Sequence, residues 1–126
     1  MDERRERIES NVRLTRHGTK RVSQRIGLPK KAVRKNAVRA LKYGVNQSEA
    51  RGKLRNYLNG IYSIEETANN LRVYNRYVYV FVDEYLITVL HVPKKFQDTA
   101  DIQQQKKKFM IEWEEGKKDE RDNHQP

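Results

Sequence analysis

Residues 71–93, "LRVYNRYVYVFVDEYLITVLHVP", decide how this chain folds. The stretch is dense in Val, Tyr, Ile and Thr, residues that sit well on a pleated, half-buried surface. Two polar dipeptides, Asn75-Arg76 and Asp83-Glu84, interrupt it at hairpin spacing. The pattern predicts an antiparallel meander with strands at about residues 70–74, 77–82 and 85–92. In the middle strand Val78, Val80 and Val82 share one face while Tyr77, Tyr79 and Phe81 share the other, because strand side chains alternate. The valine face is expected to pack on helices. The aromatic face is either a second buried layer or the wall of a cleft. Pro93 has no N–H to offer a ladder and stops the last strand.

Upstream the period is helical. Residues 11–26 carry Val12, Val22 and Ile26 as the apolar points of a first helix, with Thr15 as a candidate N-cap. Gly27 ends it, and Pro29 suits the first turn of the next helix. Residues 30–43 place Val33, Ala37, Ala40 and Leu41 on one face with Lys and Arg on the other, and Gly44 closes this helix as its C′ residue. A third helix is expected over about residues 47–59, where Ala50, Leu54, Tyr57, Leu58 and then Ile61 keep helical spacing. Beyond the meander, Ile102, Lys106, Phe109 and Trp113 keep the same spacing, so a final helix is expected to dock by its aromatic edge. The expected fold is α+β. N-terminal helices precede a three- to four-stranded antiparallel sheet over residues 11–96, and a C-terminal helix and disordered tail follow over residues 97–126. Residues 1–10 are expected to form a flexible charged lead-in.

Composition narrows the function. The chain has 126 residues, 36% hydrophobic and 35% charged, so it suits one small domain with a modest core. No run approaches the roughly 18 apolar residues of a membrane span, and the N-terminus has no apolar signal run. A cytoplasmic chain without membrane contact is expected. The absence of cysteine excludes thiolate zinc sites and a cysteine nucleophile. The three histidines, His17, His91 and His124, are too scattered for a metal cluster, and neither metal nor cofactor is expected. Gly-rich phosphate loops, GxSxG and paired carboxylates are missing from the sequence.

Charge is the most telling bulk property. Residues 10–60 hold fourteen Lys and Arg against one acid, Glu49, whereas residues 61–126 hold ten against twelve. Clustered cations repel one another unless a polyanion neutralises them. Nucleic acid, RNA or DNA, is the expected partner. An acidic protein, such as an antitoxin-like inhibitor, would meet the same field.

Several side chains are candidates for chemistry. His17, Arg21 and Arg25 recur at i, i+4 and i+8, one helical stripe with steps of roughly 6 Å. Such a stripe can hold a phosphate between an imidazole and two guanidinium forks. A solvated basic face with an incidental histidine has the same spacing. Arg16, Lys20, Lys30, Lys31, Arg34 and Lys35 extend the basic surface as nucleic-acid contacts. Thr88 is either a good strand former or a rigid donor to a phosphate oxygen. His91 stands at the strand end beside Lys94 and Lys95, two further candidate nucleic-acid contacts. Thr88 and His91 are three apart, so they share a face only if a bulge turns one of them. Tyr79, among the strand tyrosines, either packs in the sheet or stacks an unpaired base, an interaction of about 1–3 kcal/mol.

The pattern Thr15-x-His17-Gly18-x-x-Arg21-x-x-x-Arg25, followed by basic helices and a meander ending in Ile87-Thr88-Val89 and Pro93, resembles a known superfamily. It is the metal-independent RNase superfamily grouping barnase, colicin ribonuclease and RelE-like toxin domains, and in particular its small members of phage or mobile-element type. The likeness covers about residues 14–95. Gly18 stands where those domains carry alanine, a small-for-small change of little expected consequence. The resemblance implies a cleft between first helix and sheet in which His17 moves a proton at a ribose 2′-OH. Arg21 and Arg25 would hold the phosphate there, and Thr88 would donate a hydrogen bond, with His91 a further candidate. The 2′-oxygen would attack phosphorus and leave a 2′,3′-cyclic phosphate without any cofactor. The resulting expectation is RNA binding with metal-independent endoribonucleolytic cleavage. The alternatives are a non-catalytic nucleic-acid-binding accessory protein and a basic protein-interaction module. Cleavage requires His17 and Thr88 to face one hollow.

Overall fold

The computed structural model describes residues 12–64 and 67–123, the last six by backbone alone, so the expected lead-in and His124 lie outside the described residues. The architecture is α+β. In chain order the elements are β1 (Arg13–Leu14), α1 (Arg16–Ile26), α2 (Lys30–Tyr43), α3 (Gly52–Ile64), β2 (Asn70–Tyr74), β3 (Tyr77–Val82), β4 (Tyr85–His91) and α4 (Lys94–Asn123). The sheet order is β1-β4-β3-β2.

The meander lies where the sequence places it. Its first turn carries Asn75 at φ 49° and Arg76 at φ 67°, the left-handed pair that a tight two-residue hairpin requires. Arg76 is held there by its guanidinium, which meets Asp101 on α4 at 2.8 Å. Asn75 donates its N–H to Gln104, also on α4, at 2.8 Å.

Three expectations are corrected. Residues 12–14 are extended, not helical, and the sheet is mixed, because β1 runs parallel to β4 with Arg13 opposite Tyr85 and Leu14 opposite Leu86. The cause is the cap: Thr15 has extended backbone and its Oγ1 accepts the Gly18 N–H at 2.9 Å, so α1 starts after it. Upstream of the cap, Val12 is buried by lying along β4, and Arg34 donates to its carbonyl at 2.9 Å. Second, α3 starts at Gly52, not near residue 47, since the Asn46 side chain accepts from Ser48 and from the Glu49 N–H and holds a turn there. Third, α4 continues through Asn123, across much of the expected disordered tail.

Both faces of the sheet are covered. Val78 and Val80 join Leu71, Val73 and residues of α3 and α4, among them Leu54, Leu58 and Ala100. Tyr79 and Phe81 join Leu86, Val89 and residues of α1 and α2, among them Val22, Val33, Ala37 and Ala40. The aromatic face is therefore a second core. Tyr79 is 2% exposed, and burial, with lesser help from Tyr74 and Tyr77, pushes its phenol up to about 12.

At 30 residues α4 is about 45 Å long. It starts under the valine face with Phe96 and Ala100 and passes the β2 edge to reach the end of α2. There Glu115 pairs with Lys42 at 2.9 Å, and Lys107 bonds the Gly44 carbonyl and, at 2.8 Å, Glu49. Partial burial works against the Lys42 ammonium, but the Glu115 carboxylate and Tyr43 outweigh it and raise its pKa. The expected aromatic docking edge is corrected too. Phe109 and Trp113 are 64% and 52% exposed, because the stripe through Phe96, Ala100, Lys107 and Glu115 makes the contacts.

Helix α1 lies very close to β4. A Cβ on Gly18 would run into the Leu86 carbonyl oxygen and come within 2.9 Å of Thr15 Oγ1. The glycine is thus not interchangeable with the alanine of the resembling domains. Gly18→Ala is expected to lower stability by about 1–3 kcal/mol as the helix is pushed from the strand. Gly60→Ala, inside α3 with nothing within 4 Å of the new methyl, is expected to raise it by up to about 1 kcal/mol. Urea unfolding of the two variants checks both signs.

Candidate nucleic-acid interface

Residues 16–43, which make up α1, α2 and their connection, contain ten Lys and Arg and no acid. Each helix has one apolar stripe, and both stripes are buried against the aromatic face of the sheet. The opposite stripes must then turn outward on the same side of the molecule. Arg16, Lys20, Arg21, Arg25, Lys30, Lys31, Arg34, Lys35 and Arg39 are all exposed there. Helix α4, by contrast, mixes signs along its length. The sheet thus divides the chain into a cationic layer and a mixed one.

The cationic layer has a concave part. Where α4 emerges past the edge of β2 it stands beside α2 and encloses a cleft of about 760 Å³. Lys31, Arg34, Lys35, Arg39 and Lys42 of α2 face Lys108 and Glu112 of α4 across it, and Val38, Tyr43 and Tyr74 form apolar wall. Lys42 is engaged by Glu115, so the other five cations are set against one acid. A cleft of this size accommodates a ligand on the scale of a nucleotide.

The expected catalytic group is not assembled. His17 and Arg21 are exposed on α1, while Arg25 donates from Nη1 to the Val89 carbonyl at 2.9 Å and so ties α1 to β4. Thr88 pairs with Val80, whose side chain belongs to the α3–α4 core. Thr88 therefore faces that core, and the sheet lies between it and His17. A β-bulge does exist, but it falls at Ile87, between the Val80–Thr88 and Phe81–Leu86 pairs. It reorients nothing between Thr88 and His91, so these two still point to opposite faces. His91 stands opposite Tyr77, their rings 4.6 Å apart, on the face that carries α1. Because Gly18 abuts Leu86 and Arg25 reaches Val89, α1 runs along β4, and His17 and His91 mark opposite ends of the strand. Tyr79 has no free face to offer a base. Lys94 and Lys95 are exposed in the first turn of α4, Lys95 lying over the Phe96 ring.

Of the expected nucleic-acid contacts, Lys31, Arg34 and Lys35 line the cleft, and Arg16, Lys20 and Lys30 lie elsewhere on the cationic layer. Arg39 and Lys42 complete the cleft without having been singled out, and Lys108, expected on an exposed helical turn, joins them. Arg39 follows Lys35 by one turn and was legible from that spacing, whereas Lys108 joins only because α4 folds back beside α2. Among the described residues no three His, Asp or Glu side chains gather where a metal ion could be held. No helix among them is long and apolar enough to cross a membrane. The chain matches no protein-family model, no curated protein and no solved structure.

The Thr88 hydroxyl is buried without a hydrogen-bond partner. A polar atom so placed costs about 1–3 kcal/mol, and replacing it with an isosteric methyl removes that cost. Thr88→Val is expected to raise the melting temperature and to leave nucleic-acid affinity unchanged. Thermal unfolding and a binding titration of the variant check the two halves of this expectation.

Proposed function

We propose that this chain binds nucleic acid without cutting it, using the cationic layer of α1 and α2 and, at its centre, the cleft between α2 and α4. The observation that carries this reading is the charge of that layer: ten Lys and Arg, no acid on either helix, and a concave wall shared with Lys108. Packing so many like charges on one face destabilises an isolated fold. A polyanion turns the same arrangement into affinity, because each neutralised phosphate releases condensed counterions. Arginine forks and lysine ammonium groups recognise phosphate without reading sequence.

Cleavage has no comparable support. Proton transfer at a ribose needs a base and a phosphate-holding group around one scissile bond. Here the imidazole of His17 and the hydroxyl of Thr88 are separated by the sheet, and Arg25 is engaged with backbone. An acidic protein remains the competing ligand for the basic layer, and salt titration with nucleic acid discriminates against it.

Binding to labelled RNA or DNA is expected to weaken linearly in log–log salt plots. The triple variant Lys31→Ala, Lys35→Ala, Arg39→Ala is expected to reduce the magnitude of that slope by up to about 3. No binding of either nucleic acid at low salt defeats the reading. RNA incubated with the chain in EDTA is expected to remain intact. The appearance of 2′,3′-cyclic phosphate ends that vanish in His17→Ala would restore the nucleolytic alternative.

A further inference from the structure

The outward face of α4 carries apolar side chains that the fold does not use. Ile102, Phe109, Met110 and Trp113 are 53%, 64%, 52% and 52% exposed, in a chain whose mean hydropathy is −1.04. Clustered apolar exposure rimmed by polar residues marks interaction surfaces. Phe109 and Trp113 lie one turn apart with their ring planes 17° from parallel and their centroids 6.5 Å apart. The Lys117 ammonium lies 5.0 Å from the Trp113 ring centroid.

Three features identify the occupant. The ring faces are flat and nearly parallel, the shape on which a planar base stacks. Lys106 and Lys117 are exposed on the same stretch of helix, alongside Glu112 and Glu114, and Lys117 lies over Trp113, so cation stands beside π-surface there. Finally, Lys108 adjoins Phe109 in the chain and also lines the basic cleft, so a phosphate backbone in the cleft brings its bases to this ridge. Only unpaired bases have free faces to stack, since a duplex buries them in its own interior. A second copy of the chain fits less well. Four half-exposed side chains fall short of the roughly 800 Å² per partner of a stable interface. Two chains of net charge +10 also repel.

Resting on the nucleic-acid reading above, we propose that Phe109 and Trp113 form a stacking platform for unpaired bases, which makes single-stranded nucleic acid the ligand of the cleft. The platform tolerates any base, because every base has a π-face.

Trp113 is the only tryptophan of the chain, so its fluorescence reports on the ridge alone. The full chain is titrated with a short oligouridylate, an oligodeoxythymidylate of the same length, and a duplex of that length. Tryptophan quenching and the anisotropy of the labelled oligonucleotide are recorded together. Single strands of either sugar are expected to quench Trp113 and to bind about tenfold or more tighter than the duplex. The double variant Phe109→Leu, Trp113→Leu keeps apolar bulk but loses both rings. It is expected to lose about tenfold or more in single-strand affinity while duplex affinity and salt slope stay unchanged. Binding without quenching, equal loss for both ligand forms, or no loss in the variant overturns the platform and leaves the nucleic-acid reading standing. Absence of all binding defeats both. A wild-type dimer that the double variant converts to monomer assigns the ridge to a second copy and overturns the proposal.

Discussion

Strand β3 is buried on both of its faces, and the rest of the molecule is arranged around that requirement. Val78 and Val80 on one side and Tyr79 and Phe81 on the other are all 2% exposed or less. Fully burying such side chains is worth about 1.5–3 kcal/mol each, so neither face can be left to water. Helices must therefore cover both sides of the sheet. The two helices with sparse apolar stripes and dense cations take the aromatic side, and α3 and the first turns of α4 take the valine side. Large aromatic side chains fill the core under α1 and α2, which meet them with aliphatic and small residues such as Val22, Val33, Gly18, Ala37 and Ala40. The outcome for function is indirect but decisive. Once the apolar stripes of α1 and α2 are committed to one face, their cations have only one direction to point.

The same sheet explains why an apparent catalytic constellation does not form. Ile87 is the extra residue of a bulge in β4, and the bulge lets Leu86 and Val89, three positions apart, both enter the aromatic core. The intervening Thr88 is thereby placed with Val80 on the other side. Packing of two large aliphatic residues outweighs the unmatched hydroxyl, which is consistent with burial energies exceeding the cost of one orphaned polar atom. Arg25, meanwhile, satisfies a β4 carbonyl and Arg34 satisfies that of Val12. Two of the cations that look like phosphate ligands in the sequence thus also hold the cationic layer onto the sheet.

Helix α4 has two working faces. One carries Phe96 and Ala100 into the core and then, past the β2 edge, exchanges apolar contacts for polar ones with the hairpin tip and the end of α2. Gln104 is bonded to Asn75 in both directions, and Arg76 to Asp101, so the left-handed turn and the helix position each other. These ties hold Lys108 beside α2 and so create the cleft. The opposite face, with Phe109 and Trp113, stays exposed among the described residues.

Much of the fold was readable from local pattern. Strand alternation and polar dipeptides located the meander, and Thr15, Gly27 and the 30–43 periodicity located α2 and the cap of α1, since these signals depend only on neighbours in the chain. The cationic character of α1 and α2 was equally a matter of composition. Other features were set by partners distant in sequence. The extended run at Val12 exists because β4 offers an open edge. The start of α3, by contrast, is set by the local Asn46 turn. The aromatic stripe of α4 has the right period for docking, yet the periodicity of a helix says only which residues share a face. It does not say which face meets the core. Likewise, three residues of spacing could not tell where a bulge would fall, and that single position moved Thr88 away from His17. Sequence alone determined the elements and the sign of the charge on them; tertiary packing decided which side chains share a surface, because the two cores compete for each strand's faces and only the whole sheet settles the competition.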